Sequence, residues 1–195
     1  MTTTRKSLLN LSAWALAMLM AASLPVAAHP GHLPMSGFAA GVQHPLSGMD
    51  HLLAMIAVGL WAGLCGGRRA WLWPASFVAS MIAGSIIGMF WAPDLPVHPA
   101  ILVSVMVLGL ATAVGLRLPV ALGGLVIAIF GVAHGYAHGI EMPHTAHGLD
   151  FAAGFTLATA TLHGVGLAAA TGLRRLTRLA GLGIVVAGIG LIAGA

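Results

Sequence analysis

Three short stretches of the sequence hold side chains that can bind a metal ion or move a proton. "HPLSGMDHLLAM", residues 44–55, carries His44, Asp50, His51 and Met55; "HGYAHGIE", residues 134–141, carries His134, His138 and Glu141; "HTAHGLD", residues 144–150, carries His144, His147 and Asp150. Imidazole nitrogens beside carboxylate oxygens suit a borderline divalent ion such as nickel, cobalt, zinc or copper. The spacing supports the grouping. In one continuous helix His44, His51 and Met55 lie near a single face, at steps of seven and four residues. Asp50 is then turned from His51 by about 100°, and Pro45 fits the first helical turn. His134 and His138 stand at i, i+4, and Glu141 joins their stripe if the helix reaches it.

Each group also has a reading without chemistry. An aspartate in hydrocarbon costs about 2.5–3.5 kcal/mol, so Asp50 must face the bundle interior, a partner or an ion. A structural Asp–His hydrogen bond locking two helices would meet that need. The second stretch could be the solvated end of an interfacial helix, with Glu141 already in a loop. The third could be a solvated loop, although short histidine-rich tracts are metal-binding candidates. His29 and His32 offer a capture site near the N-terminus, where flexible chain ends often carry such residues without a role. His163, in "TLATATLHGVG", follows Thr156 and Thr159 by seven and four residues. It is either a satisfied helix–helix hydrogen bond or a deeper relay for an ion or a proton.

The elements that must position these residues are membrane helices. Of the 195 residues 59% are hydrophobic and 6% charged, and 27 are glycine, which together exclude an ordinary soluble domain. Arg5 and Lys6, the apolar Leu8–Leu24 and the small residues Val26-Ala27-Ala28 form a cleavable signal peptide over residues 1–28, leaving His29 first. The remainder, 29–195, is expected to be one transmembrane domain. Apolar runs long enough to span occur at Pro45–Gly67, Ala70–Trp91, Pro99–Leu116, Pro119–Gly139, Leu149–Leu173 and Leu179–Ala195. The fold class is therefore an all-α membrane protein, a bundle of six transmembrane helices. Trp71, Trp73 and Trp91 suit interfacial belts, and Met81, Met89 and Met106 suit packing. Met49 and Met55 flank the candidate ligands. Cys65 stands alone and excludes both an intrachain disulfide and a cysteine metal cluster.

Charge fixes the expected orientation. With the mature N-terminus in the periplasm, Arg68, Arg69, Arg117, Arg174, Arg175 and Arg178 all fall in cytoplasmic loops of an inner-membrane protein, as the positive-inside rule requires. Asp50, Asp94, Glu141, Asp150 and every histidine except His163 lie toward the opposite side. That gradient attracts cations from outside. The arginines act as topology anchors and not as a nucleic-acid surface.

"HPLSGMDHLLAMIAVGLWA" and "FGVAHGYAHGIEMP", behind a signal peptide that ends just before a histidine, resemble the HupE/UreJ family over essentially the whole mature chain. The resemblance implies a six-helix secondary permease for nickel, or for cobalt, that supplies hydrogenase or urease. The family's first-helix pattern falls on His44, Asp50 and His51, and its fourth-helix pattern on His134, His138 and Glu141. A looser likeness to larger nickel/cobalt transporters stops at spacing: five residues separate His44 from Asp50 here, against four there.

The expected partners are a divalent metal ion as cargo and the lipid bilayer, with a second copy or a metallochaperone as protein candidates. No resident cofactor and no enzyme activity are expected. Two rivals remain: an intramembrane metallohydrolase, which would use His and Asp to activate water, and a metal-binding sensor or accessory subunit that moves nothing. The chain has neither a His-Glu-x-x-His stretch nor a Gly-x-Ser-x-Gly elbow. It also lacks a P-loop, so flux would run down a gradient, couple to an ion or depend on another protein.

Overall fold

A computed structural model describes residues 37–65, 67, 69–91, 95–142, 148–170 and 174–194. The expected signal peptide, His29, His32, His144 and His147 lie outside those residues. All regular structure among the described residues is helical: α1 Gly37–Ser47, α2 Met49–Cys65, α3 Leu72–Phe90, α4 Val97–Val114, α5 Val120–Glu141, α6 Gly148–Ala170 and α7 Arg174–Gly194. Helices α3 to α7 are each long and apolar enough to cross a membrane, and α1 with α2 would make a sixth crossing if the bent pair counts as one. Such helices satisfy every backbone N–H and C=O internally, which hydrocarbon demands. Large apolar side chains such as Phe90, Ile129, Leu149 and Val186 face outward, while His134, His138 and His163 are buried. This inside-out arrangement marks a multi-pass membrane protein.

The run expected as one helix over Pro45–Gly67 is broken. Helices α1 and α2 meet at Gly48 with a bend of 83°. Pro45 therefore lies inside α1, near its end, and not in the first turn of the following helix. The local chemistry accounts for the break. Ser47 Oγ donates to the His44 carbonyl at the close of α1, and Gly48 O accepts from Leu52 N–H to open α2. Asp50 sits in the first turn of α2, where a carboxylate meets the positive end of the helix dipole. Its Oδ1 accepts the backbone N–H of His51 at 2.8 Å, one of the donors that a helix start leaves unpaired.

Glycines set the distances between helices. Helix α3 lies along α5, where Gly84 and Gly88 face the backbone of Val132 and Tyr136, and Gly131, Gly135 and Gly139 face Phe77, Met81 and Ser85. A side chain at Gly135 would overlap the Met81 carbonyl, so only glycine permits this approach. Helix α6 lies equally close to α1 through Gly154 and to α2 through Gly166.

The chain ends of the helices sort by charge. Asp50, Glu141 and Asp150 gather at one end, and Arg117, Arg174, Arg175 and Arg178 at the other, around a cavity of about 340 Å³ that Leu64 and Gly115 also line. The last helix begins earlier than the expected Leu179, because "RRLTR" is its first turn and not a linker. Cations at a helix start are unfavourable by themselves. Here Arg174 donates to the Leu64 carbonyl near the end of α2 at 3.0 Å, and Arg178 donates to the Val114 carbonyl at the end of α4. The arginines thus complement the negative ends of two neighbours. Trp71 and Trp91 are exposed, as a belt requires, but Trp73 is only 3% exposed and donates to the Val120 carbonyl. It packs against Trp61 with ring centroids 4.7 Å apart, so it belongs to the core and not to the belt.

Candidate metal centre

The acidic end of the bundle brings two helices together at one imidazole. His138 is a turn from the end of α5, and its Nδ1 is 3.1 Å from His44 Nε2 of α1 and 3.6 Å from Glu141 Oε2. His44 Nε2 is also 3.1 Å from Glu141 Oε2. With α5 helical to Glu141, the carboxylate stands on the same stripe as His138. Among the described residues these three supply the one group of ligand atoms that all lie within 4.8 Å of one another. For bonds of about 2.1 Å, neighbouring ligands of one ion stand about 3.0 Å apart in an octahedron and about 3.4 Å in a tetrahedron. Two observed edges, both 3.1 Å, fall within that range, and the third, 3.6 Å, lies just above it.

A second set lies deeper. His51 on α2 has its ring centroid 4.5 Å from that of His138 and 5.3 Å from that of His134. The tautomers follow from their partners. A carbonyl only accepts, so His134 Nδ1, 2.9 Å from Phe130 O, carries a proton and leaves Nε2 with a lone pair. His51 Nδ1 donates likewise to Asp50 Oδ1 at 2.8 Å. A carboxylate behind an imidazole is the arrangement that orients metal-binding histidines and raises their basicity. The Nε2 atoms of His51, His134 and His138 are buried and have no hydrogen-bond partner among the described residues. An unpaired buried polar atom costs about 1–3 kcal/mol, so three together call for a partner, and His51 and His134 offer it lone pairs. His138 adjoins both sets, Nδ1 on one side and Nε2 on the other, and its single lone pair serves one of them at a time.

The sequence-derived residues divide accordingly. His44, His138 and Glu141 meet directly, and His51 and His134 adjoin them with Asp50 behind. Met55 is fully buried, whereas Met49 is partly exposed. His163 lies outside the cluster, against Phe77 at 4.9 Å between ring centroids. The expectation that His44 and His51 share the face of one helix fails, because the break at Gly48 puts them on separate helices. Both nonetheless contact His138, His44 at 4.9 Å and His51 at 4.5 Å between centroids. In a straight helix they would be about 10.5 Å apart along the axis.

Several neighbours had no assigned role in the sequence. His98, in the first turn of α4, has Nε2 3.7 Å from Asp50 Oδ2. Its position at the acidic end of a span is the signal that could have marked it. Phe155 stacks 4.2 Å from His138, Phe151 lies 5.4 Å from His44, and Phe77 lies 5.3 Å from His134. His134 and His138 are buried among these rings, where low dielectric strengthens any charge interaction, while His44 stays partly exposed.

Comparison with known proteins agrees with these motifs. A profile described as HupE / UreJ protein matches residues 16–192. The chain belongs to the HupE/UreJ family. It is also 38% identical over 183 residues to Protein HupE of Rhizobium leguminosarum bv. viciae, covering 90% of this chain and 95% of that protein. No solved structure matches it. Both His44–Asp50–His51 and His134–His138–Glu141 fall inside the part that matches the HupE/UreJ profile.

Proposed function

We propose that this HupE/UreJ protein carries a divalent transition metal across the inner membrane, nickel first and cobalt second, to supply a metalloenzyme such as a hydrogenase or urease. In this reading a cleaved signal peptide leaves the mature N-terminus in the periplasm. The broken α1–α2 pair and α3 to α7 make six crossings, and the acidic end faces outward. Substrate ions gather at that end. They are bound first by His44, Glu141 and His138 Nδ1, then, once the His138 ring proton has moved from Nε2 to Nδ1, by His138 Nε2, His51 and His134, with Asp50 orienting His51. His29, if it becomes the first mature residue, adds a capture point upstream.

One observation supports this most: His44 Nε2, His138 Nδ1 and Glu141 Oε2 stand 3.1–3.6 Å apart at the end of an apolar bundle. Mixed nitrogen and oxygen donors suit nickel and cobalt, with geometry setting the choice among divalent ions. The test is radiometal uptake into cells across nickel, cobalt, zinc and copper. The wild type should accumulate nickel or cobalt, and His138→Ala, inserted at normal levels, should not. Metal binding without accumulation would replace transport by sensing. Full accumulation by His138→Ala would remove the site.

A further inference from the structure

We propose that His163 and Thr159 form a second, inner station for the transported ion, linked to the His51–His134–His138 cluster through the ring of Phe77, which adjoins both His134 and His163. The proposal rests on the transport reading above and extends it toward the arginine end. The His163 carbonyl packs on Gly59 of α2, eight residues beyond His51, or about 12 Å further along the helix. Phe77 is fully buried, and its ring is next to both His134 and His163, at centroid distances of 5.3 and 4.9 Å.

What sets His163 apart is that, among the described residues, its ring nitrogens have nothing to bond. It is 1% exposed, and neither Nδ1 nor Nε2 has a partner among the described residues. A histidine kept only to tie helices together would use at least one of them. Thr159, one turn earlier on α6, behaves the same way: its hydroxyl is buried and unpartnered. Helical threonines have a ready acceptor in the carbonyl four residues back. Thr112 and Thr161 take that option, with bonds of 2.8 Å to Leu108 O and Leu157 O, and Thr159 does not. Two unsatisfied polar groups thus share one stripe of a helix in an apolar interior.

Their chemistry fits an ion in passage. One imidazole nitrogen and one hydroxyl oxygen are donors a divalent nickel or cobalt ion accepts. They are also far fewer than the four imidazoles and the carboxylate at the acidic end. A mid-path site must bind strongly enough to admit an ion and weakly enough to lose it. Beyond His163, among the described residues, the ionisable side chains are Cys65 and the arginines, so it is the last imidazole on the way.

The test uses the full chain, purified in detergent, in a Cys65→Ala background. His163→Cys places a thiol at the station, and cobalt is added as the probe. A thiolate–cobalt charge-transfer band in the near ultraviolet, absent from the parent and removed by excess nickel, is the expected result. Cobalt bound at the acidic end without that band overturns the inner station and leaves the outer site standing. A parent that binds neither cobalt nor nickel overturns both. In proteoliposomes, His163→Gln should slow nickel uptake about tenfold or more, equivalent to one decade in rate, while metal affinity at the acidic end stays unchanged. Unaltered uptake by His163→Gln, or equal loss of uptake and affinity, would also overturn the inner station.

Discussion

Gly135→Ala tests whether backbone contact between helices sets the metal geometry. A Cβ at this position would overlap the Met81 carbonyl oxygen and stand 2.7 and 2.8 Å from the Met81 C and Cα, where 3.4–4 Å is ordinary contact. No flexible side chain can yield, since every atom in the way is backbone. Helices α3 and α5 must separate or slide by about 1 Å, the scale at which atomic contact energies are lost. His134 and His138 flank Gly135 on α5 and move with it relative to His44 and His51, which belong to helices packed on α6. Metal sites tolerate about 0.2 Å in ligand distance, and a misplacement of about 1 Å can cost a factor of about 100. The packing penalty itself is about 1–3 kcal/mol, which an inserted bundle can survive. The expected result is a protein present in the membrane at normal level, with nickel uptake down about 100-fold at scarce metal. Gly164→Ala is the control, because a Cβ there meets nothing within 4 Å although it adjoins His163. Normal uptake and affinity in Gly135→Ala would refute the reasoning, as would an equal loss in Gly164→Ala.

Asp50→Asn keeps volume but removes the carboxylate behind His51, so metal affinity should fall about 10- to 100-fold, the usual effect of losing such a partner. Equilibrium binding of nickel to the purified variant measures it, and an unchanged affinity would remove Asp50 from the site. For topology, in a Cys65→Ala background, a cysteine replacing Leu149, which is 84% exposed at the acidic end, should react with an impermeant thiol reagent added outside. A cysteine replacing Arg175 should react only after the membrane is opened. Reversed labelling would invert the direction of transport.

How far the sequence could be read depended on whether the information was local. The stripe of His134, His138 and Glu141 is visible in spacing alone, because α5 runs unbroken through all three. The sorting of arginines from carboxylates is visible because each lies next to a helix end. The break at Gly48 was not, since a glycine in an apolar run fits both a continuous membrane helix and a hinge. Its signal is the order Ser47-Gly48-Met49-Asp50, a stop residue followed by a carboxylate suited to a new helix start. Phe77, Phe151, Phe155 and His98 were out of reach for another reason. Their contacts with the cluster join separate helices, and periodicity within one helix says nothing of what faces it. Trp73 shows the same limit: two residues from Trp71, it turns inward because Trp61 and the Val120 carbonyl await it.

The ligands divide across a seam. His44, Asp50, His51, Thr159 and His163 belong to α1, α2 and α6, which press together at Gly41, Gly59, Gly154 and Gly166. Phe77, His134, His138 and Glu141 belong to α3 and α5, which press together at Gly84, Gly88, Gly131, Gly135 and Gly139. None of these glycine contacts crosses between the two groups. Across the seam the cluster instead meets through side chains, His44 with His138 and Glu141, and His51 with His134 and His138. Backbone contacts without side chains leave little room for adjustment, so each group holds its own ligands in fixed relation. Side-chain contacts can be made and lost at smaller cost. The cluster is therefore built across side-chain contacts and not across glycine-packed backbone, which suits the release of an ion that the proposed transport requires.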